Sequence, residues 1–227
     1  MFLFIRLVLA HLLADFPFQF DAIYRLKLKK AAGQILHGGI FTLLALFLSW
    51  PYLNLPLVWG IVLFLGLAHV IIDRAKVLYI DKRSDNVWTF CLDQLLHLAV
   101  ISSVFLIKPT FLSTPKESQA NLLALYFNDL FILFFIGYII TTFGADALLN
   151  SIKKTLQSYS LPFRERHYGI IERTTITSLV ILGGYYWLLV LPILLIRLPA
   201  KASRSYPHII LSTLLAVIVG LILKALL

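Results

Sequence analysis

Long apolar runs separated by short polar segments set the pattern of this chain. The runs cover residues 2–20, 34–50, 57–78, 87–107, 121–143, 168–196 and 207–226. A helix of about 20 apolar residues matches the roughly 30 Å hydrocarbon core of a bilayer. Only helices and closed barrels satisfy their backbone groups inside lipid, and runs of this length suit helices. The expected fold is therefore an all-α polytopic membrane protein with about seven or eight transmembrane or half-membrane helices. We read residues 1–227 as one membrane domain. It comprises a first hairpin over 1–50, a second over 57–107, and C-terminal helices over 121–227. Within the last part, the pattern near 144–162 suits an amphipathic helix on the membrane surface.

Composition agrees with this reading. Hydrophobic residues make up 60% of the 227 positions and charged residues only 14%, and the mean hydropathy is +0.89. A soluble domain carries about 25% charge. The net charge of +9 would raise nucleic acid as a partner in a soluble protein. Here the basic residues gather in short segments between apolar runs, so anionic lipid headgroups are the expected partner and nucleic acid is not. Cys91 is the only cysteine, which excludes an intramolecular disulfide and a thiolate metal cluster. The N-terminal run lacks a basic start and meets His11 and Asp15, so it reads as a retained first helix rather than a cleaved signal.

The basic segments also give an orientation. Segments 21–33, 74–86 and 144–167 are basic and alternate with weakly charged ones. Placing them in the cytoplasm puts the N-terminus outside. Arg197, Lys201 and Arg204 follow the long 168–196 run and would lie outside if that run crossed once. A break at Gly183-Gly184 would return them to the cytoplasm.

Ionisable residues within these runs are the candidate chemistry, because they are costly in a membrane and mark function. His69 and Asp73 are four residues apart, as are Asp93 and His97 and also His11 and Asp15. Residues i and i+4 share one helix face. The first hairpin repeats the second: Leu9-Ala10-His11 through Asp15 aligns with Leu67-Ala68-His69 through Asp73, and Gln34 to His37 aligns with Gln94 to His97. Asp93 has no counterpart, since Gly33 stands at the equivalent position. Counted from the cytoplasmic ends of their runs, all seven residues fall about 6–15 Å deep at 1.5 Å per residue.

His11, Asp15, His37, His69, Asp73, Asp93 and His97 form a metal-ligand inventory. Mixed imidazole and carboxylate donors suit one or two divalent transition metals, zinc first, with manganese or iron as alternatives. The repeat suggests His11, Asp15 and His37 as one ligand set and His69, Asp73 and His97 as another. Asp93 then serves as a general base or bridging ligand. Gln34 and Gln94 are candidates to orient the ligands. Glu172 is a further candidate catalytic residue, and Arg173 and Lys201 are candidate substrate contacts.

These residues resemble a bacterial membrane family, domain of unknown function 3307. The resemblance is carried by His11-Leu12-Leu13-Ala14-Asp15-Phe16 with Gln19, by His37, by His69 to Asp73 and by Asp93 to His97. It continues through Gly169 to Arg173 and Lys201 to Tyr206. A more distant likeness, through the His-xxx-Asp pattern, is to membrane proteins labelled metal-dependent hydrolases, and it implies metal and hydrolysis. The expected function is a metal-dependent membrane hydrolase or transferase acting on a lipid or lipid-linked substrate from the cytoplasmic leaflet. A divalent-metal or proton transporter using the same residues is the alternative, and a non-enzymatic membrane scaffold is a third. The sequence leaves the oligomeric state open.

Overall fold

The computed structural model describes residues 2–82, 86–106, 122–156, 163–197 and 206–227. Among them every regular element is a helix. Four helices are long and apolar enough to cross a membrane: Ala31–Leu48, Pro56–Tyr79, Val87–Leu106 and Asp129–Thr155. The chain divides into two compact units, Met1–Ile132 and Leu133–Leu227.

The first unit is built on α1 (Phe2–Asp15), α2 (Asp21–Lys29), α3 (Ala31–Leu48), α4 (Pro56–Lys82) and α5 (Val87–Ile101). Helix α1 is shorter than the apolar run that holds it, about 21 Å at 1.5 Å per residue. It stops at Asp15 because Pro17 cannot continue a helix, and the Phe16 and Phe18 amides close the end on Leu12 and Leu13 carbonyls. Eleven of its fourteen residues are buried. A helix that is apolar all round belongs in a core, and α1 packs against both α3 and α5. Helix α4 also packs against both α3 and α5. The four therefore close into a bundle in the order α1, α3, α4, α5, with α1 and α4 opposite each other.

Two glycines bring α3 and α4 together. A Cβ on Gly66 would lie 2.1 Å from Thr42 Oγ1, and one on Gly38 would lie 2.3 Å from Val70 Cγ2. Small residues permit such an approach, the usual means of helix association in lipid. His37 and His69 each precede one of the residues in the second contact. The start of α5 is fixed by a capping box. Asn86 Oδ1 accepts from the Trp88 and Thr89 amides, and Thr89 Oγ1 accepts from the Asn86 amide. Asp93 and His97 follow Thr89 at four and eight residues, on the same face.

At the far end of α1, Arg6 is fully buried. It donates to Asp129 Oδ1 at 2.7 Å, to the Phe2 carbonyl at 3.1 Å and to the Tyr126 carbonyl. The Tyr126 hydroxyl in turn donates to the Leu48 carbonyl. Burial raises the hydroxyls of Tyr52 and Tyr126 to about 12, so neither supplies an anion. Asp129 is thus the counter-charge of Arg6, which ties the short helix α6 (Leu122–Phe127) and the start of α7 (Asp129–Ile139) to α1 and α3.

In the second unit, α7 (Asp129–Ile139) passes through a π turn, Ile140–Gly144, into α8 (Ala145–Thr155). The helix thus continues from residue 129 to residue 155. The π turn carries the helix past residue 143, and Ala145, Asp146, Leu149 and Ser151 are buried. Helix α9 (Phe163–Leu182) ends at Gly183 and Gly184, whose φ values of 68° and 55° leave the right-handed helix. A 3-10 turn over Gly184–Leu189 leads to α10 (Val190–Arg197), and Val190 and Ile193 fold back onto Ile176, Val180 and Ala216. Helix α11 (Tyr206–Ala225) then runs beside α9 in the same direction. Arg173 meets Ser212 and Thr177 meets the Ala216 carbonyl, both at a separation of 39 residues. The glycine pair thus breaks the run and turns the chain back.

The glycine contacts give a stability test. Gly66→Val forces a side chain into Thr42 and is expected to cost about 1–3 kcal/mol, the usual range for overpacking. Gly60→Ala meets nothing within 4 Å and should leave the thermal midpoint in detergent unchanged or raise it. Equal midpoints for the two variants would refute the close-contact role of Gly66.

Candidate functional site

Each helix of the bundle brings one histidine to its centre: His11 from α1, His37 from α3, His69 from α4 and His97 from α5. All four are buried. The ring centroids of His11 and His97 lie 4.7 Å apart, those of His69 and His97 4.3 Å, and those of His37 and His69 5.0 Å. Three carboxylates complete the cluster, Asp15 from α1, Asp73 from α4 and Asp93 from α5, all buried. The seven residues singled out in the sequence therefore meet in one place. Helical bundles commonly build metal sites in this way, from side chains on facing helices.

The grouping differs from the division suggested by the repeat. Asp15 Oδ1 lies 3.0 Å from His37 Nε2 and 3.4 Å from His69 Nε2. Asp73 Oδ2 lies 3.7 Å and 3.6 Å from the same two nitrogens. This set draws one histidine and one aspartate from each hairpin. A metal with ligands at about 2.0–2.1 Å in tetrahedral geometry separates them by about 3.3 Å. Ligand-compatible triplets are Asp15 with His37 and His69, His11 with His69 and His97, and Asp15 with Asp93 and His97. His69 Nε2, His97 Nε2 and Asp93 Oδ1 are buried without a hydrogen-bond partner among the described residues. Such atoms are rare unless something else satisfies them, and imidazole nitrogen with carboxylate oxygen is a fitting donor set for zinc.

The surrounding hydrogen bonds hold these groups in place. Gln94 donates to Asp15 Oδ2 at 3.0 Å, and its Oε1 lies 3.3 Å from His11 Nε2. His97 Nδ1 lies 2.8 Å from the carbonyl of Asp93, an acceptor. That contact places the proton on Nδ1 and leaves Nε2 as the bare nitrogen. Gln34 acts differently: it donates to the Lys27 carbonyl at 3.0 Å and so fixes α2. Phe41 stacks on His69 at 4.8 Å.

Two site residues escape sequence reasoning. Lys27 Nζ lies 2.6 Å from Asp73 Oδ1, and Lys76 Nζ lies 2.7 Å from Asp93 Oδ2. Both lysines read as ordinary basic flanks of apolar runs. For Lys76 a signal exists, since it follows Asp73 by three and His69 by seven on one helix stripe. For Lys27 there is none, because its contact depends on α2 folding back onto α3. Gly33 allows that fold: a Cβ there would lie 2.3 Å from the Leu26 carbonyl carbon.

Glu172 and Arg173 belong to the second unit. Arg173 donates to the Thr141 and Thr142 carbonyls at 2.6 and 2.9 Å, inside the π turn, and to Ser212 Oγ at 3.2 Å. Asp146 lies 3.8 Å from its guanidinium. These contacts commit Arg173 to holding α9, α11 and the π turn together. Glu172 is buried beside it. Lys201 lies outside the described residues.

A multi-helix protein of membrane character, with a histidine and carboxylate cluster inside its N-terminal bundle, is the class these features define. The chain belongs to the family described as protein of unknown function (DUF3307), whose model matches residues 3–124. That match encloses all four histidines, the three aspartates and both lysines. No curated protein and no solved structure matches the chain.

The Lys27–Asp73 pair yields a prediction for metal-free, chelator-treated protein. Lys27→Met alone strands a fully buried carboxylate and should cost about 3–5 kcal/mol. The double variant Lys27→Met/Asp73→Asn should recover a large part of that loss. Chemical unfolding of the two variants measures the difference, and an additive double variant would contradict a direct buried pair.

Proposed function

We propose that the chain is a metal-dependent membrane hydrolase or transferase acting on a lipid or lipid-linked substrate from the cytoplasmic leaflet. One observation carries the reading: two imidazole nitrogens and two carboxylate oxygens converge, with N–O distances of 3.0–3.7 Å, in the buried centre of an apolar bundle. His37, His69, Asp15 and Asp73 would hold the metal. A divalent ion held by them would supply Lewis-acid chemistry, polarising a carbonyl or phosphoryl oxygen and lowering the pKa of a bound water. Gln94 orients Asp15 and His11. His97 offers a bare Nε2 to a proton from the attacking water, and Asp93 holds that imidazole in place.

The surroundings support a lipid substrate and one-sided access. Phe41, Ala45, Val62 and Leu65 are buried, on the stretches of α3 and α4 that lead away from the basic end. On the other side the Lys76 side chain keeps 24% of its surface exposed. A transporter needs a polar path to both faces, so this asymmetry favours an enzyme. Helix α2 lies beside the exposed end. It is tied to the cluster through Lys27, and Arg25, Lys29 and Lys30 are exposed. Phe18, Phe20, Tyr24 and Leu28 are exposed with them. Apolar and basic groups side by side suit the headgroup region of an anionic leaflet. The repeat of the two hairpins is part of the same reading, since each supplies a histidine and an aspartate to one ligand set.

Metal analysis of purified protein tests the proposal. The wild type should retain zinc, manganese or iron through gel filtration, and His37→Ala and His69→Ala should lose it. Chelation should lower the thermal midpoint of the wild type only, and metal at 100 times its dissociation constant should restore about 2.7 kcal/mol. Negligible metal in all three chains would refute the reading and favour a scaffold. Metal flux into sealed vesicles, abolished by the same variants, would replace the enzyme with a transporter.

A further inference from the structure

The charges within the cluster limit what it can hold. Asp15, Asp73 and Asp93 bring three carboxylates, and Lys27 and Lys76 bring two ammonium groups at 2.6 and 2.7 Å from their partners. With neutral imidazoles, the cluster carries one net negative charge. A single divalent ion with a bound hydroxide neutralises it. Two divalent ions sharing one hydroxide would leave two net positive charges in a buried apolar bundle, where uncompensated charge is strongly disfavoured.

Asp15, His37, His69 and Asp73 form a set whose four imidazole-to-carboxylate distances, 3.0–3.7 Å, lie near the tetrahedral value, and Lys27 lies on the other oxygen of Asp73. The remaining donors are Asp93, His97 and His11, and there Lys76 already holds Asp93 Oδ2. Asp93 is also the residue without a counterpart in the first hairpin. Its equivalent, Gly33, faces the α2 backbone with no room for a side chain.

Building on the metal reading above, we infer that the cluster holds one divalent ion, seated on Asp15, His37, His69 and Asp73. The Lys76 ammonium takes the place of a second ion beside Asp93, His97 and His11. Asp93 and Lys76 are then positioning residues, which fix His97 and keep its half of the cluster free of metal.

The test loads manganese into purified full-length protein, removes the excess, and counts ions per chain. Electron paramagnetic resonance of the same samples separates an isolated ion from a spin-coupled pair. The wild type should hold one ion per chain with the signal of an isolated centre. Lys76→Gln should take up a second ion and show the coupled signal, and Lys76→Gln/His97→Ala should return to one. Lys76→Arg keeps the cation and should stay at one. Two ions in the wild type would overturn this inference while leaving the metal reading intact. One ion in both the wild type and Lys76→Gln would overturn the role of Lys76. No ion in the wild type would remove the metal reading and this inference together. The wild-type count decides the stoichiometry even if Lys76→Gln fails to fold.

Discussion

Three carboxylates inside an apolar bundle need opposite charge, and much of the first unit follows from that need. An isolated buried carboxylate is strongly destabilising, and pairing offsets the cost only when geometry is close. Asp73 is fully buried and receives Lys27 from α2. Asp93 receives Lys76 from α4. Asp15 shares one oxygen between His37 and His69 and gives the other to Gln94. Removing Lys27 or Lys76 takes the ammonium partner away from its carboxylate.

This need explains why the segment after α1 is a helix bent back on the bundle and not a free loop. Helix α2 has little apolar surface to bury, and Lys27 is its only buried residue. What holds it is the ion pair, the Gln34 bond to the Lys27 carbonyl, and the backbone contact at Gly33. A side chain at position 33 would push α2 away and separate Lys27 from Asp73. The glycine is therefore a condition for the charge balance, and helix packing and electrostatics are one problem here.

The helical class and the meeting of the seven residues were legible because both depend on local periodicity. The i, i+4 spacing puts each pair on one face, and common depth puts the faces at one level. Which helix would neighbour which was not legible. The repeat suggested two separate ligand sets, whereas the order α1, α3, α4, α5 puts His37 and His69 side by side. Lys27 and Lys76 were hidden because a basic residue beside an apolar run has an ordinary explanation in the positive-inside pattern. The Gly183-Gly184 break was legible as a conflict of charge and resolved by positive φ. The π turn was not, since residues 140–144 carry no proline or glycine pattern that separates it from a regular helix.

The division of labour between the two units bears on chemistry as well as folding. Arg173, a cation within an apolar run, donates to the Thr141 and Thr142 carbonyls of the π turn and to Ser212. A guanidinium suits that work because its donors are fixed in one plane and its charge does not titrate. The cluster uses lysines where the π turn uses arginine, and the difference is consistent with their tasks. A lysine is a point charge that balances a carboxylate while leaving its second oxygen open. In the bundle those open oxygens, on Asp73 and Asp93, are the ones that face the histidines.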